Sequence, residues 1–233
     1  MRLSVVVPTF NEALHIEDAV SAALCIGDEV IVADGGSADE TAELASAAGA
    51  HVVTSAKGRG AQLNVGAECA VGDVLLFLHA DARLPAEARV AIERALVDPE
   101  VGGGNFLLRF EPRTRWGRLF GWANDVRRRQ LDIYYGDSAI FVRRRVFDAL
   151  GGYSPLPILE DFDFVRRLER SVHTVYIRDV HVSASSRRFA HTPVRTVCTW
   201  GIVQGLYSLG VPPWALAKLY HDARRCGEAE YQG

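Results

Sequence analysis

The stretch Leu3-Ser4-Val5-Val6-Val7-Pro8-Thr9-Phe10-Asn11-Glu12 decides the fold. Its β-branched residues are apolar at consecutive positions, so a strand made from them has both faces covered. The run is too short for the apolar core of a signal peptide, and polar residues follow Pro8 at once. Working outward, the same unit repeats. A helical pattern runs from about Ala13 to Leu24, an apolar strand covers Glu29–Ala33 and a helix covers Asp39–Ala48. Ser37-Ala38-Asp39-Glu40 fits a capping box at the start of that helix, and Gly49 supplies a left-handed stop. A strand at His51–Thr54, a helix over Ala61–Ala70, a strand at Val74–Leu78 and a helix from Pro85 to about Val97 continue the series. Such alternation implies the α/β class: a Rossmann-like, mostly parallel sheet with helices on both faces.

After Glu100 the alternation breaks. Strands are expected at Asn105–Phe110 and Ala139–Val142, an amphipathic helix over Trp116–Arg129, a helix over Leu159–Arg170 and an edge strand at His173–Ile177. Val194 to about Arg225 reads as two helical segments broken by Gly210-Val211-Pro212-Pro213. With no linker and no repeat, residues 1–225 are expected to form one domain, divided into a 1–100 half and a mixed 101–225 half. Residues 226–233 are a tail.

The 233 residues carry 26 Lys+Arg against 29 Asp+Glu, a net charge of −3, with 48% hydrophobic residues. That composition excludes disordered and low-complexity classes, and the near-neutral balance argues against a nucleic-acid binder. The basic residues are 24 arginines and only 2 lysines. Between Arg109 and Arg145 ten arginines stand against Glu111, Asp125, Asp132 and Asp137. This excess is either a solvated face or a surface for anionic groups, which arginine binds bidentately. Cys25, Cys69, Cys198 and Cys226 lie far apart, so buried reduced thiols are expected and not a disulfide framework or metal cage. Trp200–Trp214 is interrupted by Gln204, Ser208 and two prolines, and falls short of the ~20 apolar residues of a membrane span. A soluble, cytoplasmic protein is expected. Trp200-Gly201-Ile202-Val203 and Leu206-Tyr207 either pack on the sheet or make peripheral contact with a membrane.

In open α/β sheets ligands bind outside the carboxyl ends of the strands. Three polar clusters fall there: Pro8-Thr9-Phe10-Asn11-Glu12, Asp34-Gly35-Gly36-Ser37 and His79-Ala80-Asp81, each with a carboxylate. Turn chemistry explains part of this, but not three carboxylates in register at the ends of the first, second and fourth strands. Neither a Gly-x-x-x-x-Gly-Lys-Ser/Thr loop nor a Gly-rich first turn is present. Carboxylates without such loops suggest that Mg²⁺ or Mn²⁺ handles a diphosphate.

These clusters, with Lys57-Gly58-Arg59-Gly60-Ala61-Gln62-Leu63-Asn64, Gly136-Asp137-Ser138-Ala139-Ile140-Phe141, Leu159-Glu160-Asp161-Phe162-Asp163-Phe164 and Ser185-Ser186-Arg187-Arg188, resemble family-2 glycosyltransferases of the GT-A fold. The resemblance runs from about residue 2 to 220, and within the family the set is most similar to the bacterial subgroup associated with arsenosugar-type biosynthesis clusters. It implies that the 1–100 half binds nucleotide and the 101–225 half the acceptor. Pro8, Thr9, Glu12, Asp34, Arg59, Asn64 and Ala80 are then expected at a nucleotide-diphosphate sugar, with a UDP-sugar favoured. The family's Asp-x-Asp metal motif reads His79-Ala80-Asp81, so Asp81 and His79 are the expected metal residues, with a mild tilt toward manganese because imidazole suits it better. Asp161 is expected as general base beside Glu160, taking a proton from the acceptor hydroxyl as it attacks with inversion. Arg187 and Arg188 stand where relatives close over the diphosphate, in a pattern unlike the Gln-x-x-Arg-Trp of processive synthases. Asp137, Ser138 and the Gly102–Gly104 run are expected to border a small or lipid-linked acceptor, and the arginine excess raises an anionic one. Ser138 stands where the nearest relatives would carry Gln.

Two other readings remain open. A nucleotidyltransferase would place a Gly-rich, basic loop directly after the first strand, which Pro8-Thr9-Phe10-Asn11 does not supply. A non-catalytic module that binds sugar nucleotides is motivated by His79 and Ser138.

Overall fold

The computed structural model describes residues 1–185 and 193–218. Val5, Val6 and Val7 are fully buried, at about 1.5–3 kcal/mol for each such side chain. That places their strand, β1 (Leu3–Thr9), in the interior of the sheet. It pairs in parallel with β2 (Glu29–Asp34) on one side and with β4 (Val74–Phe77) on the other, and β3 (His51–Thr54) adds in parallel outside β2. Intervening helices α1 (Ile16–Leu24), α2 (Thr41–Ala47) and α3 (Arg59–Cys69) cover the two faces. Val5 and Val7 join α1 and α2 in one core, and Val6 meets Leu63 and Ala67 of α3 in the other.

The rest of the chain extends the same sheet. β5 (Ala82–Arg83), α4 (Glu87–Ala95), β6 (Val101–Glu111), α5 (Arg115–Leu131), β7 (Ile140–Arg143), α6 (Arg144–Ala149), α7 (Glu160–Ser171), β8 (His173–Ser185) and α8 (Pro193–Ser208) follow. Strand order is β3-β2-β1-β4-β7-β6-β8-β5. β7 is antiparallel to both β4 and β6, β8 runs parallel to β6, and β5 is antiparallel to β8. This is the expected Rossmann-like GT-A arrangement with a mixed second half.

Several local expectations are corrected. The capping box does not form, because the Ser37 hydroxyl donates to Asp34 and its oxygen accepts from the Asn11 N–H at 2.8 Å. Asp39 serves the start of α2 instead, accepting from Thr41 N at 3.2 Å. Gly49 does take a left-handed φ of 99° after α2. β8 is not an edge strand: it spans 13 residues between β6 and the two-residue β5. Gly102, Gly103 and Gly104 do not border an acceptor surface. They lie inside β6, where a Cβ on Gly104 would stand 2.1 Å from the Val175 carbonyl oxygen and one on Gly103 2.5 Å from that of Phe141. Cys25, Cys69 and Cys198 are free but exposed, not buried; Cys226 and the expected tail lie outside the described residues. Among the described residues no helix is long and apolar enough to cross a membrane.

The arginine excess resolves into separate duties. Arg143 donates to the carbonyls of Leu96, Asp98 and Val101, Arg144 to those of Ala67, Ala70 and Gly72, and Arg145 to that of Pro99. These guanidinium groups satisfy carbonyls around the last turns of α3 and α4 that helix geometry leaves open. Buried Arg128 reaches Asn105, Thr174, Asp132 and Glu169. Arg129 pairs with Asp125 at 3.3 Å. Arg109, Arg113, Arg115 and Arg118 are exposed. Arg127 alone of the ten lines the cleft described next.

Candidate active site

The parallel strands switch direction of winding between β1 and β4, and such a switch point opens a crevice at their carboxyl ends. Thr9 and Asp34 end β1 and β2 as direct neighbours in the ladder. Both are buried. Asp34 accepts from Gly36 N at 3.0 Å and Ser37 N at 2.9 Å on one oxygen, and from the Ser37 hydroxyl on the other, with Thr9 Oγ1 at 3.4 Å. The carboxylate therefore shapes the Gly35–Ser37 turn. Asn11 closes it from the other side, accepting from Ala38 N at 2.9 Å. Glu12 N donates to Thr41 Oγ1 at 2.8 Å, joining the two strand ends. Half-buried Pro8 lies one residue before Thr9. At the mouth, Lys57 Nζ sits 3.7 Å from the ring centre of exposed Phe10.

Gln62 carried no assignment in the sequence, yet its buried amide donates to Thr9 O at 2.6 Å and Ala33 O at 2.9 Å. It locks the two strand ends together from α3. Asn64, two residues further along α3, accepts from Tyr153 N at 2.8 Å and donates to Tyr153 O at 2.9 Å. Each end of its amide bonds the chain around Tyr153 and keeps one further hydrogen-bonding position.

Beyond β4, His79 O accepts from Ala82 N at 3.0 Å and forms a tight turn with His79 and Asp81 half-buried on it. Ala80 is buried, and its carbonyl accepts from Arg83 at 2.8 Å. Burial lowers the Arg83 guanidinium from its ordinary value, while the charges of Asp18 and Asp81 oppose that. Among the described residues no three His, Cys, Asp or Glu side chains converge as a metal cage. One carboxylate and one imidazole on a strand-end turn fit a cation that takes most of its shell from phosphate oxygens and water.

The antiparallel course of β7 completes the site. Residues that precede β7 arrive beside residues that follow β4, so the 136–138 turn meets His79. A Cβ on Gly136 would stand 3.0 Å from His79 Nε2 and 3.4 Å from Asp161 Oδ2; glycine lets the imidazole and the carboxylate close on the backbone from both sides. Asp161 Oδ2 accepts from Gly136 N at 2.9 Å and Oδ1 from Phe162 N at 2.7 Å. Each oxygen keeps a further lone pair for a ligand. Ser138 is buried and its hydroxyl donates to Tyr135 O at 2.6 Å, so it braces the turn and does not border the cleft, whereas Asp137 does line it.

Glu160 and Asp161 open α7, after Leu159 in the left-handed region with φ 63°. Glu160 is 3% exposed, and Oε1 lies 3.0 Å from Arg59 Nε in an ion pair not aligned as a hydrogen bond. Burial pushes its carboxyl above the ordinary value near 4.5, the Asp161 charge adds to this, and Arg59 opposes it. The unfolded chain therefore releases this proton first as pH rises past about 4.5, and the fold that retains it loses stability through that interval. Glu160→Gln removes the penalty. Urea unfolding at pH 4 and pH 7 is expected to show the stability difference, variant minus wild type, rising with pH.

Arg59, His79, Asp137, Glu160 and Asp161 line one cavity of about 140 Å³. Its other walls went unassigned in the sequence: Asn124 and Arg127 from α5, Tyr135, Ile158, Leu159, and Trp200, Val203 and Gln204 from α8. Tyr134-Tyr135 directly before Gly136-Asp137 was the available signal. Burial pushes the Tyr135 hydroxyl up to about 12, Arg127 opposes this, and Asp161 and Asp137 reinforce it. That hydroxyl donates to Gln204 at 2.5 Å, and Tyr207 meets Phe162 edge-on at 5.8 Å. The inner side of α8 is thus packed against the sheet half, while Ile202 is exposed. Arg187 and Arg188 lie outside the described residues.

The cleft shares His79 with the strand-end turn but is not lined by Thr9, Asp34 or Asp81, and the whole is a GT-A-type α/β fold. The model of the family described as Glycosyl transferase family 2 matches residues 4–151, and the chain belongs to that family of glycosyltransferases. A PGL/p-HBAD biosynthesis glycosyltransferase of Mycobacterium bovis is 31% identical over 176 residues, covering 69% of this chain and 67% of the relative. Among solved structures, glucosyl-3-phosphoglycerate synthase from Mycobacterium tuberculosis in complex with Mg²⁺ and UDP is similar at a TM-score of 0.64 and 19% identity, over 91% of this chain and 80% of that one. S. aureus TarS is similar at a TM-score of 0.63 and 16% identity, over 88% of this chain. This chain spans 40% of the TarS chain.

Proposed function

We propose that this protein transfers a sugar from a UDP-sugar to a hydroxyl-bearing acceptor, small or lipid-linked, with inversion and with Asp161 as general base. The observation that carries this reading is the placement of Asp161. Its carboxylate is held by two backbone N–H groups on the cleft wall, beside His79 and the strand-end crevice. Glu160, buried and paired with Arg59, positions its neighbour; Asp161 is the carboxylate with reach to an acceptor proton. Thr9, Asp34 and the Gly35–Ser37 turn would receive the nucleotide, with Pro8, Glu12, Arg59 and the Ala80 backbone around it, and Asp137 would border the acceptor. Asp81 and His79 would hold Mn²⁺ or Mg²⁺ together with the diphosphate. When bound, that cation stabilises charge on the departing nucleoside diphosphate. Solved neighbours hold Mn²⁺ with UDP-glucose and phosphoglyceric acid, or UDP-GlcNAc, which supports the donor class. The arsenosugar-associated subgroup and a cytoplasmic setting rest on the sequence motifs alone.

The test is nucleotide release from a panel of UDP-, GDP- and dTDP-sugars with Mn²⁺ and candidate acceptors. UDP release that requires both acceptor and cation is the expected result. No release from any donor would sink the reading.

A further inference from the structure

Arg127 stands apart from the other arginines of its segment. It lines the cleft from α5, stacks 4.6 Å above the Tyr135 ring and donates to the neutral Asn124 amide. Its buried Nε has no hydrogen-bond partner, and among the described residues it enters no ion pair. The other cleft arginine, Arg59, is matched by Glu160. An aromatic face and an amide orient a guanidinium without neutralising it. We propose that Arg127 is the acceptor-side anion site: the molecule that receives the sugar carries a phosphate or carboxylate, and this guanidinium holds it.

The inference rests on the transferase reading of the same cleft and sharpens its acceptor. Asp161, Tyr135 and Arg127 line one cavity, so a single acceptor can set its reacting hydroxyl at Asp161 and its anionic group at Arg127. Trp200, Val203 and Ile158 give the remaining wall an apolar surface, suited to the carbon skeleton beside the charged group. Bidentate geometry favours planar carboxylate and phosphate oxygens, which a guanidinium meets through two N–H groups at once.

The experiment titrates UDP-loaded protein, reading Trp fluorescence, with glycerol 3-phosphate, with glycerol, and with phosphatidylglycerol or phosphatidylcholine vesicles. Binding at least about tenfold tighter to a charged member than to its neutral counterpart is expected, as for a charge-assisted bidentate contact. Response to the free ester alone identifies a soluble acceptor, and response to the charged vesicle alone a lipid headgroup. Arg127→Gln should abolish the discrimination, Arg127→Lys should keep part of it, and UDP affinity should stay unchanged in both. Equal binding of charged and neutral ligands, or discrimination that survives Arg127→Gln, overturns the proposal. The two readings fail separately. Discrimination without sugar transfer from any donor removes the transferase and leaves the anion site; transfer to glycerol and glycerol 3-phosphate with equal kcat/KM does the reverse.

Discussion

Asp161→Asn is expected to lower kcat by about 10²–10⁴-fold, the range for loss of a positioned general base, which is about 3–5 kcal/mol of transition-state stabilisation. UDP affinity should be nearly unchanged, because the strand-end turn of Asp34 and Ser37 is built on other elements. The structure makes this a demanding experiment. Asp161 accepts from Gly136 N on one oxygen and from Phe162 N on the other. An amide oxygen can face only one of these donors, so either the 136–138 turn or the first turn of α7 loses a tether along with the base. Asp161→Glu is the companion variant: it keeps the charge and displaces it by a methylene. If kcat falls in both while UDP binding and the thermal midpoint hold, the position of the charge is what matters. Full turnover by Asp161→Asn would remove the residue from the mechanism.

Arg128→Met should cost about 3–5 kcal/mol of folding stability, as removal of one member of a buried charge network does, and lower the melting midpoint by roughly 10 °C for a chain of this size. The guanidinium is 4% exposed and lies at the meeting point of three elements. It donates to Asn105 Oδ1 and Thr174 Oγ1, each at 2.8 Å, pairs with Asp132, stands 3.4 Å from Glu169 and lies 4.5 Å from the Tyr134 ring centre. Methionine fills the volume but leaves the buried Asn105 side chain short of its donor and Glu169 without its cation. A stability equal to wild type in urea unfolding would show that water re-solvates the network without loss. The adjacent Arg127 lines the cleft and Arg128 does not, so the two positions separate what holds α5 from what α5 presents.

The parallel half was legible because consecutive valines and the polar residues after them state both burial and direction. From Leu3 to Glu12 nothing distant has to be known. The ends of elements were less legible where a side chain had two uses. Ser37 could have capped α2, but Asp34 recruits it, and sequence spacing alone does not choose between them. β8 looked like a short edge strand because its pairing with β6 shifts register between Phe106 and Leu107, which breaks the apolar alternation. Of the site, Asp34, His79, Asp81, Asp137, Glu160 and Asp161 were readable as strand-end or helix-start residues. The bonds of Ser138 to Tyr135 and of Asn64 to Tyr153 were not legible, since polarity does not reveal that a backbone group already occupies a side chain. Asn124 and Trp200 were missed, and Arg127 was read only as one of ten arginines, because the cleft they line exists only once α5 and α8 are brought to it.

The carbonyl contacts of Arg143 and Arg144 have a mechanical consequence. Both guanidinium groups act where β4 and β6 begin, at the pole of the sheet opposite the crevice. There they fasten the ends of α3 and α4 to the start of α6 and the tip of β7, across the line that joins the two halves. At the other pole the halves meet through a turn, two carboxylates and an imidazole. The β4–β7 ladder carries this bracing along the sheet, so the arginine pole steadies the frame on which the cleft at the other pole is built.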